Sequence, residues 1–292
     1  MKFIVSGIFV LVIAAASLPA QTPPATDIFL ADLQWRGDSL FVNQIRKVVA
    51  HSGYDNQPLF LPDGKAFLFT SMRGGMQTDV YRYDLHADTV VQVTATPESE
   101  YSPTPMPDGR HFSAVRVERD STQRLWQFKL DGSQPRVLLP NIMPVGYHAW
   151  LDSSRVALFV LGDPVTLQIV DIRDQQPQIF LGQIGRCLRK QPGSQAITFV
   201  HKISDSEWWI KSLQFPELRF AEIVRTLPGS EDFCWTPAGV LLMGKGSVLY
   251  RFDPRRDTAW RPVHDLAEYG VRGITRLAIS PDGRKLAIVA QE

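Results

Sequence analysis

The sequence predicts an all-β protein, a six-bladed β-propeller in which each blade is a four-stranded antiparallel sheet. The main observation is a turn that recurs between apolar runs, as Pro62-Asp63-Gly64, Pro107-Asp108-Gly109 and Pro281-Asp282-Gly283. The first two turns are 45 residues apart, and weaker copies of the same unit fill most of the interval before the third. A strand-rich unit repeated at this period is typical of blades stacked around an axis.

Each copy of the unit contains four short strands, A to D, and the turn joins strand A to strand B. Strand C ends at an Asp in most copies. In the first copy the predicted strands cover 58–61, 66–70, 79–84 and 90–94. In the later copies, strands B, C and D are predicted at 111–117, 125–131 and 136–139; 156–161, 167–171 and 178–181; 196–200, 208–213 and 221–224; and 240–243, 248–253 and 260–263.

Physical chemistry explains both the residue types of the turn and the apolar pattern of the B strands. Proline presets φ for the first turn position, aspartate bonds to its own backbone, and glycine accepts a positive φ. The B strands are apolar at consecutive positions, which indicates burial on both faces rather than on one. A parallel α/β sheet would need amphipathic helices of about 10–15 residues between the strands, and this chain has turns there instead.

The two ends of the repeat region predict how the ring closes. Residues 274–290 read as strands A and B without C and D, whereas residues 27–49 read as C and D alone. Together they make one composite blade, so five complete copies and this one give six. Pairing of the N-terminal strands with the C-terminal ones removes the free sheet edges that would otherwise aggregate.

The first residues have the pattern of a secretory signal peptide, predicted over 1–20, with a short tether at 21–26 and the propeller at 27–292. Lys2 precedes an apolar run over 3–16, and small residues around Ala20 suit a cleavage site. The apolar run is shorter than the roughly 20 residues that span a bilayer, and no second run is longer. We therefore expect an exported protein, periplasmic or extracellular, without a stable membrane span after cleavage.

The charge balance bears on the class of partner. The chain has 31 Lys and Arg against 30 Asp and Glu, a formal net charge of +1. Nucleic-acid binding needs a basic face, and these charges are scattered, so no nucleic-acid partner is expected.

The chain resembles the TolB-like β-propeller family, a WD-repeat-type group with PDG hairpins and an aromatic third strand ending in Asp. The matching residues are Ser280-Pro281-Asp282-Gly283, the other two PDG turns, Asp79-Val80-Tyr81 with Asp84, and Asp27-Ile28-Phe29 with Asp32. The resemblance covers roughly residues 27–292. It implies a propeller that binds partner proteins at one face in the cell envelope, while related propellers occur in peptidases and polysaccharide lyases.

No residue set predicts catalysis or a cofactor. A G-x-S-x-G nucleophile motif is absent from the sequence, as are H-x-H, H-E-x-x-H and Asp-rich calcium loops. The six histidines fall at different points of different copies, so no metal site is expected. The predicted function is a non-catalytic protein- or ligand-binding module of the envelope. The alternatives are a glycan-active or metal-dependent lyase that uses the central channel, and a sugar-binding propeller.

Cys187 and Cys234 are the two cysteines, and both are predicted in A strands of adjacent blades. An even number in an exported protein permits a disulfide, and inner strands converge near the axis. Two buried free thiols are the alternative, and the sequence leaves both open.

The candidate binding surface is the face that carries the D-to-A and B-to-C loops. Aromatic residues and arginines recur near the start of strand A, and the B-to-C loops add further ones, including Lys202 and Trp208. Tyr, Trp and Arg are enriched in binding hot spots. The candidates for contact with a protein, a small ligand or a glycan are Tyr54, Arg73, Tyr101, Arg119, Tyr147, Arg186, Phe233 and Arg272.

Overall fold

The computed structural model describes residues 23–292, so the predicted signal peptide and the first two tether residues lie outside the described range. The described chain forms six separate four-stranded antiparallel sheets. Its helical content is a single 3₁₀ turn at Ala267–Tyr269. No helix in this part of the chain has the length and apolar character needed to cross a bilayer. The predicted six-bladed all-β architecture is confirmed.

The first three complete blades follow the chain, each from its inner strand outwards. Their strands are β3 (Asp55–Phe60), β4 (Ala66–Met72), β5 (Thr78–Asp84) and β6 (Thr89–Gln92); β7 (Ser99–Pro105), β8 (His111–Val117), β9 (Gln123–Lys129) and β10 (Arg136–Val137); and β11 (Val145–Trp150), β12 (Arg155–Val160), β13 (Thr166–Asp171) and β14 (Pro177–Gly182).

Blades 4 and 5 have the same order, and blade 6 is the composite one. Their strands are β15 (Ile184–Lys190), β16 (Ala196–Lys202), β17 (Trp208–Gln214) and β18 (Arg219–Arg225); β19 (Phe233–Trp235), β20 (Leu241–Lys245), β21 (Val248–Phe252) and β22 (Arg261–Asp265); and β23 (Arg272–Ile279), β24 (Lys285–Gln291), β1 (Thr26–Arg36) and β2 (Ser39–Val49).

The composite blade closes the ring as predicted. Its strand order is β2-β1-β24-β23, and β1 pairs with β24 over seven positions, from Thr26 opposite Gln291 to Asp32 opposite Lys285. The salt bridge between the Asp32 carboxylate and the Lys285 amine, at 2.5 Å, lies at the end of this pairing. The inner strands β3, β7, β11, β15, β19 and β23 contact one another in turn around the axis.

The apolar residues form six clusters, one between each pair of neighbouring blades. The B strand β4 shows why, because all seven of its side chains are buried, on both faces of the sheet. The turn glycines have the expected positive φ, 68° at Gly64, 66° at Gly109 and 72° at Gly283. A left-handed backbone at these three positions explains the recurring PDG tripeptide.

Several predicted strand limits differ from the structure by one to three residues, and two of them show why. The first inner strand begins at Asp55 rather than at 58, because its start pairs with Ser71 and Thr70 of β4. The outer strand of blade 2 is only Arg136–Val137, since Leu138 and Leu139 are buried in the cluster between blades 2 and 3. In both cases tertiary packing decides the limit.

Closure makes Ile28 a test position, because it is fully buried and lies opposite Val289 in the β1–β24 pairing. We expect Ile28→Ala to lower the free energy of unfolding by about 2–5 kcal/mol, measured by chemical denaturation. The matched control is Ile179→Ala on outer strand β14, where the side chain is 65% exposed and the expected change is within about 0.5 kcal/mol. Equal effects of the two variants would contradict a contribution of the N-terminal strand to closure.

Candidate functional site

The inner strands share one position close to the axis, and the strand pairing is irregular there in most blades. The strand pairing of each of five blades is interrupted there, for example between Asn56 and Leu59, and between Tyr101 and Thr104. In every blade the residue lies five positions before the first residue of the A-to-B turn. These residues, called the axial ring below, are Gln57, Ser102, Tyr147, Cys187, Asp232 and Arg276.

The axial ring links neighbouring inner strands. Gln57 Oε1 accepts a hydrogen bond from the Ser102 backbone N–H at 2.6 Å, and Asp232 Oδ1 accepts one from Leu277 N–H at 3.1 Å. Gln57 and Ser102 have φ of 60° and 54°, in the region that side chains other than glycine rarely adopt. Because such strain persists only where surrounding contacts enforce it, these residues are held in place by the ring.

A bridge across the axis joins blade 6 to blade 3, which lie opposite one another. Arg276 Nη2 donates a hydrogen bond to the Tyr147 hydroxyl at 3.0 Å, and its guanidinium carbon lies 5.0 Å from the centre of that ring. Asp232 lies 3.5 Å from both Arg276 Nη1 and Arg189 Nη2. Burial disfavours charge on Arg276, but Tyr147 and Asp232 outweigh it and raise its pKa above the ordinary arginine value. Arg276 therefore stays charged.

Tyr54 and Arg186 lie beside this bridge. Burial raises the pKa of Tyr54 above that of an ordinary tyrosine, and Arg276, Tyr147, Tyr101 and Arg186 are the charged and titratable groups that act on it. Three of the predicted tyrosines and one predicted arginine thus lie close enough to the bridge to influence one another electrostatically. The Arg186 backbone N–H donates to Glu231, while its buried Nε has no hydrogen-bond partner within residues 23–292.

Two cavities adjoin the ring on the face of the D-to-A and B-to-C loops, and a third lies farther from the axis. The axial cavity, about 30 Å³, is lined by ring residues together with His148, Arg186 and Arg189. A second cavity of about 140 Å³ lies beside Arg276, Arg186, Glu231 and Trp208. A third, about 650 Å³, lies between blades 3 and 4 and shares Trp208 and Glu231 with the second. We call the second and third cavities together the radial groove.

The remaining predicted residues lie away from this centre or are enclosed. Phe233 is fully buried in the cluster between blades 4 and 5, so its ring has no surface on the face, and the preceding Asp232 takes the axial position instead. Arg73 is stacked at 4.5 Å over Tyr81 and donates to Ser71. Arg272 is exposed at the start of β23.

Arg119 belongs to a charged cluster at the edge of the face. It lies 3.6 Å from Glu98, which also pairs with Arg116 at 2.5 Å. Glu100, fully buried, lies 3.2 Å from Arg116 and accepts a hydrogen bond from the Thr94 hydroxyl at 2.9 Å. Burial outweighs these favourable contacts and raises the Glu100 pKa to about 7.

Both cysteines are buried free thiols in the structure. Cys187 belongs to the axial ring, and its Sγ lies 3.4 Å from both the backbone nitrogen and the carbonyl oxygen of Phe233. Cys234 follows Phe233 on β19, with its side chain in the cluster between blades 5 and 6. Burial raises the pKa of Cys187 to about 12, so this sulfur acts as a packed thiol.

The histidines do not converge. His148 is buried beside the axial cavity, where burial lowers its pKa to about 3, and its Nε2 lies 2.7 Å from Ser113 Oγ. Its Nδ1 has no hydrogen-bond partner within the described residues. Over residues 23–292, no three His, Cys, Asp or Glu side chains come together in a way that could hold a metal ion.

These features define the class of the molecule as a closed six-bladed β-propeller with a polar axial ring. No protein-family model and no curated relative matches the sequence. Among solved structures, the chain is similar to a protein assigned as TolB from Agrobacterium tumefaciens, with a TM-score of 0.72 and 15% identity. That match covers 92% of this chain and 99% of the other.

TolB from Acinetobacter baumannii is also similar, with a TM-score of 0.59, 13% identity, and coverage of 94% of this chain and 65% of that one. An oligogalacturonate lyase from Vibrio parahaemolyticus matches with a TM-score of 0.54, 13% identity, and coverage of 93% and 98%. The resemblance to TolB-like propellers that the turns indicated is thereby confirmed for the fold. Identities this low carry the fold and leave function to the residues.

Tyr147 provides a test of the cross-axis bridge. Tyr147→Phe removes the hydroxyl that accepts from the charged Arg276, so we expect a loss of about 1.5–3 kcal/mol in the free energy of unfolding. Tyr101→Phe is the matched control, because its hydroxyl forms no hydrogen bond within the described residues, and a change within about 0.5 kcal/mol is expected. If Tyr147→Phe unfolds like the wild type in denaturant titrations, the bridge does not stabilise the ring.

Glu100 predicts a pH dependence with a definite sign. Its folded pKa of about 7 lies above the ordinary 4.5, so between these values the folded state holds a proton that the unfolded state has released. Stability from this group is therefore complete below pH 4.5 and falls as the pH rises to 7, by up to about 3 kcal/mol.

The measurement compares wild type with Glu100→Gln by denaturation at several pH values between 4.5 and 8. We expect the free energy of unfolding of wild type to fall relative to that of the variant as the pH rises across this interval, because the amide of the variant does not titrate. Glu217→Gln, at an exposed position, is the control and should leave the slope unchanged. Parallel curves for Glu100→Gln and wild type would contradict a raised Glu100 pKa.

Proposed function

We propose that this protein is an exported binding module that holds an extended segment of a partner protein on the face of its D-to-A and B-to-C loops. The observation that carries the proposal is the radial groove. It leads from the axial ring at Arg276, past Trp208, to the gap between blades 3 and 4. A concave, continuous path beside rigid strands suits a chain segment better than a flat surface does.

The groove offers the mixture of side chains found in binding hot spots. Trp208 lies under the Lys202 amine, which is 4.3 Å from the centre of its ring. Ile203, 43% exposed, lines the outer end of the groove, and Leu161, 37% exposed, precedes Gly162 of the groove wall. An aromatic anchor flanked by exposed aliphatic groups can bury apolar residues of a partner.

Charge supports an acidic segment at the inner end. Arg186, Arg189 and Arg276 line the two inner cavities, against Asp232 and Glu231, whereas the outer cavity has Lys202 together with Asp163 and Asp205. This local excess of positive charge, within a chain of net charge +1, would steer and orient carboxylates of a partner. In the proposal Tyr54, Tyr101, Tyr147 and Arg186 make the central contacts, with Arg73, Arg119 and Arg272 at the periphery.

Export rests on the N-terminal sequence pattern, together with the fold shared with TolB proteins. Cleavage after Ala20 would leave a mature chain that starts at Gln21, which the mass of the purified mature protein would show. The similarity in fold to an oligogalacturonate lyase favours the lyase alternative. Within residues 23–292, however, no cluster of His, Cys, Asp or Glu side chains could hold a metal ion. A stoichiometric, tightly bound metal in purified protein would favour the lyase alternative.

The deciding experiment is affinity capture from the native envelope with wild type, Trp208→Ala and Ile179→Ala. A genuine partner is retained by wild type and by Ile179→Ala, whose change lies on exposed outer strand β14, and is lost with Trp208→Ala. With that partner purified, we expect Trp208→Ala to weaken the dissociation constant at least about tenfold. Equal capture by all three proteins would refute binding in the radial groove.

A further inference from the structure

The central channel is closed by side chains that meet across the axis, which limits what can enter it. The Arg276–Tyr147 hydrogen bond crosses the axis between opposite blades, and Asp232 and Arg189 crowd the same level. The cavity that remains at this level is only about 30 Å³. A polypeptide cannot thread through, so only a chain end or a single side chain can be inserted from the groove.

Three buried polar atoms around this cavity have no hydrogen-bond partner within residues 23–292. They are Arg186 Nε, Ser102 Oγ and His148 Nδ1. Ser102 and His148 are more than nine-tenths buried, at 8% and 6% exposure, and both line the axial cavity. Unsatisfied buried groups are costly, so a ligand that supplies the missing partners gains affinity from them.

The chemistry of these groups selects an anion. Arg186 Nε can only donate, and the Ser102 hydroxyl can donate as well. The cavities they share with Arg276 and Arg189 contain three guanidinium groups against the carboxylates of Asp232 and Glu231. Two oxygens of a carboxylate match both the donors and the size, because a cavity of 10–15 Å³ holds roughly one oxygen-sized probe.

We propose that the axial cavity is a carboxylate-binding site, in which Arg186 Nε and Ser102 Oγ donate to the carboxylate of an inserted peptide. The carboxylate is the C-terminus of the partner segment or an Asp or Glu side chain at its tip. This inference rests on the proposed function, since it names the group that the inner end of the radial groove receives. A peptide is favoured over an acidic sugar because the cavity admits a carboxylate without a ring.

The first experiment uses acetate as the probe and reads the arginine Nε–Hε signals of the full protein by NMR. The Arg186 signal is assigned by its loss in Arg186→Lys. Titration with acetate should shift this signal saturably, with a dissociation constant on the order of a few millimolar. Acetamide, which is equal in size but neutral, should not shift the Arg186 signal. An Arg186 signal that does not respond to acetate overturns the proposal.

Two variants separate this site from general charge effects. Arg186→Gln should weaken acetate binding at least about tenfold, read from the other signals near the cavity. Arg136→Gln removes the same charge from exposed outer strand β10 and should leave acetate binding unchanged. If both variants weaken binding equally, acetate responds to net charge and the site is refuted. Ser102→Ala, which removes only a hydroxyl, should weaken it by severalfold.

A second set of probes identifies the source of the carboxylate. Acetylated tetrapeptides of alanine with a free C-terminus, with an amidated C-terminus, and with an amidated C-terminus plus a terminal Glu are compared, alongside galacturonate. Binding of the free-acid or the Glu peptide in preference to the amide supports the proposal and tells the two sources apart. Galacturonate binding with no peptide binding would overturn the choice of a peptide.

The failures of the two proposals are distinguishable. Acetate and tetrapeptide binding at Arg186 requires no native partner, whereas the capture experiment depends on Trp208 in the radial groove. If Trp208→Ala loses the partner but acetate causes no shift at Arg186, the proposed binding in the radial groove stands and the carboxylate site is refuted. If acetate shifts the Arg186 signal but no captured partner depends on Trp208, the carboxylate site stands and binding in the radial groove is refuted.

Discussion

Closure of the ring by β1 and β24 is the contact on which every other interface of this protein depends. Each blade is apolar on both faces, and each of the six clusters lies between two neighbours. An open ring would leave two such faces and two sheet edges in water. Because the closing strands come from opposite ends of the chain, the whole length must be present before the last interface forms.

The same closure holds the axial site in place. Arg276 comes from the composite blade and Tyr147 from the blade opposite, so their hydrogen bond exists only in the complete ring. The strained backbone at Gln57 and Ser102 is enforced by inner strands that press on one another around the axis. Rigidity of this kind presents a preorganised cavity, which lowers the ordering cost of binding.

Much of the architecture was readable from the turn chemistry. Gly64, Gly109 and Gly283 needed a positive φ, and their spacing located the hairpins of three blades, including the composite one. The candidate site was only partly readable. Residue type predicts Tyr54, Tyr101, Tyr147 and Arg186, whereas it favours Phe233 over Asp232 and Arg272 over Arg276. Counting five residues back from each turn would have identified all six axial positions.

Local chemistry in the sequence thus determined the strands and the turns, since each depends on residues a few positions apart, and the count of repeated copies determined the number of blades. Tertiary structure alone decided which side chains share the axis, because the inner strands, five of them interrupted at the same position, bring residues of different blades together there. It also decided that Arg276 meets Tyr147, 129 residues distant in the chain, and that Arg186 Nε is buried without a partner in the described structure. Such pairings follow from ring geometry, which no short stretch of sequence encodes.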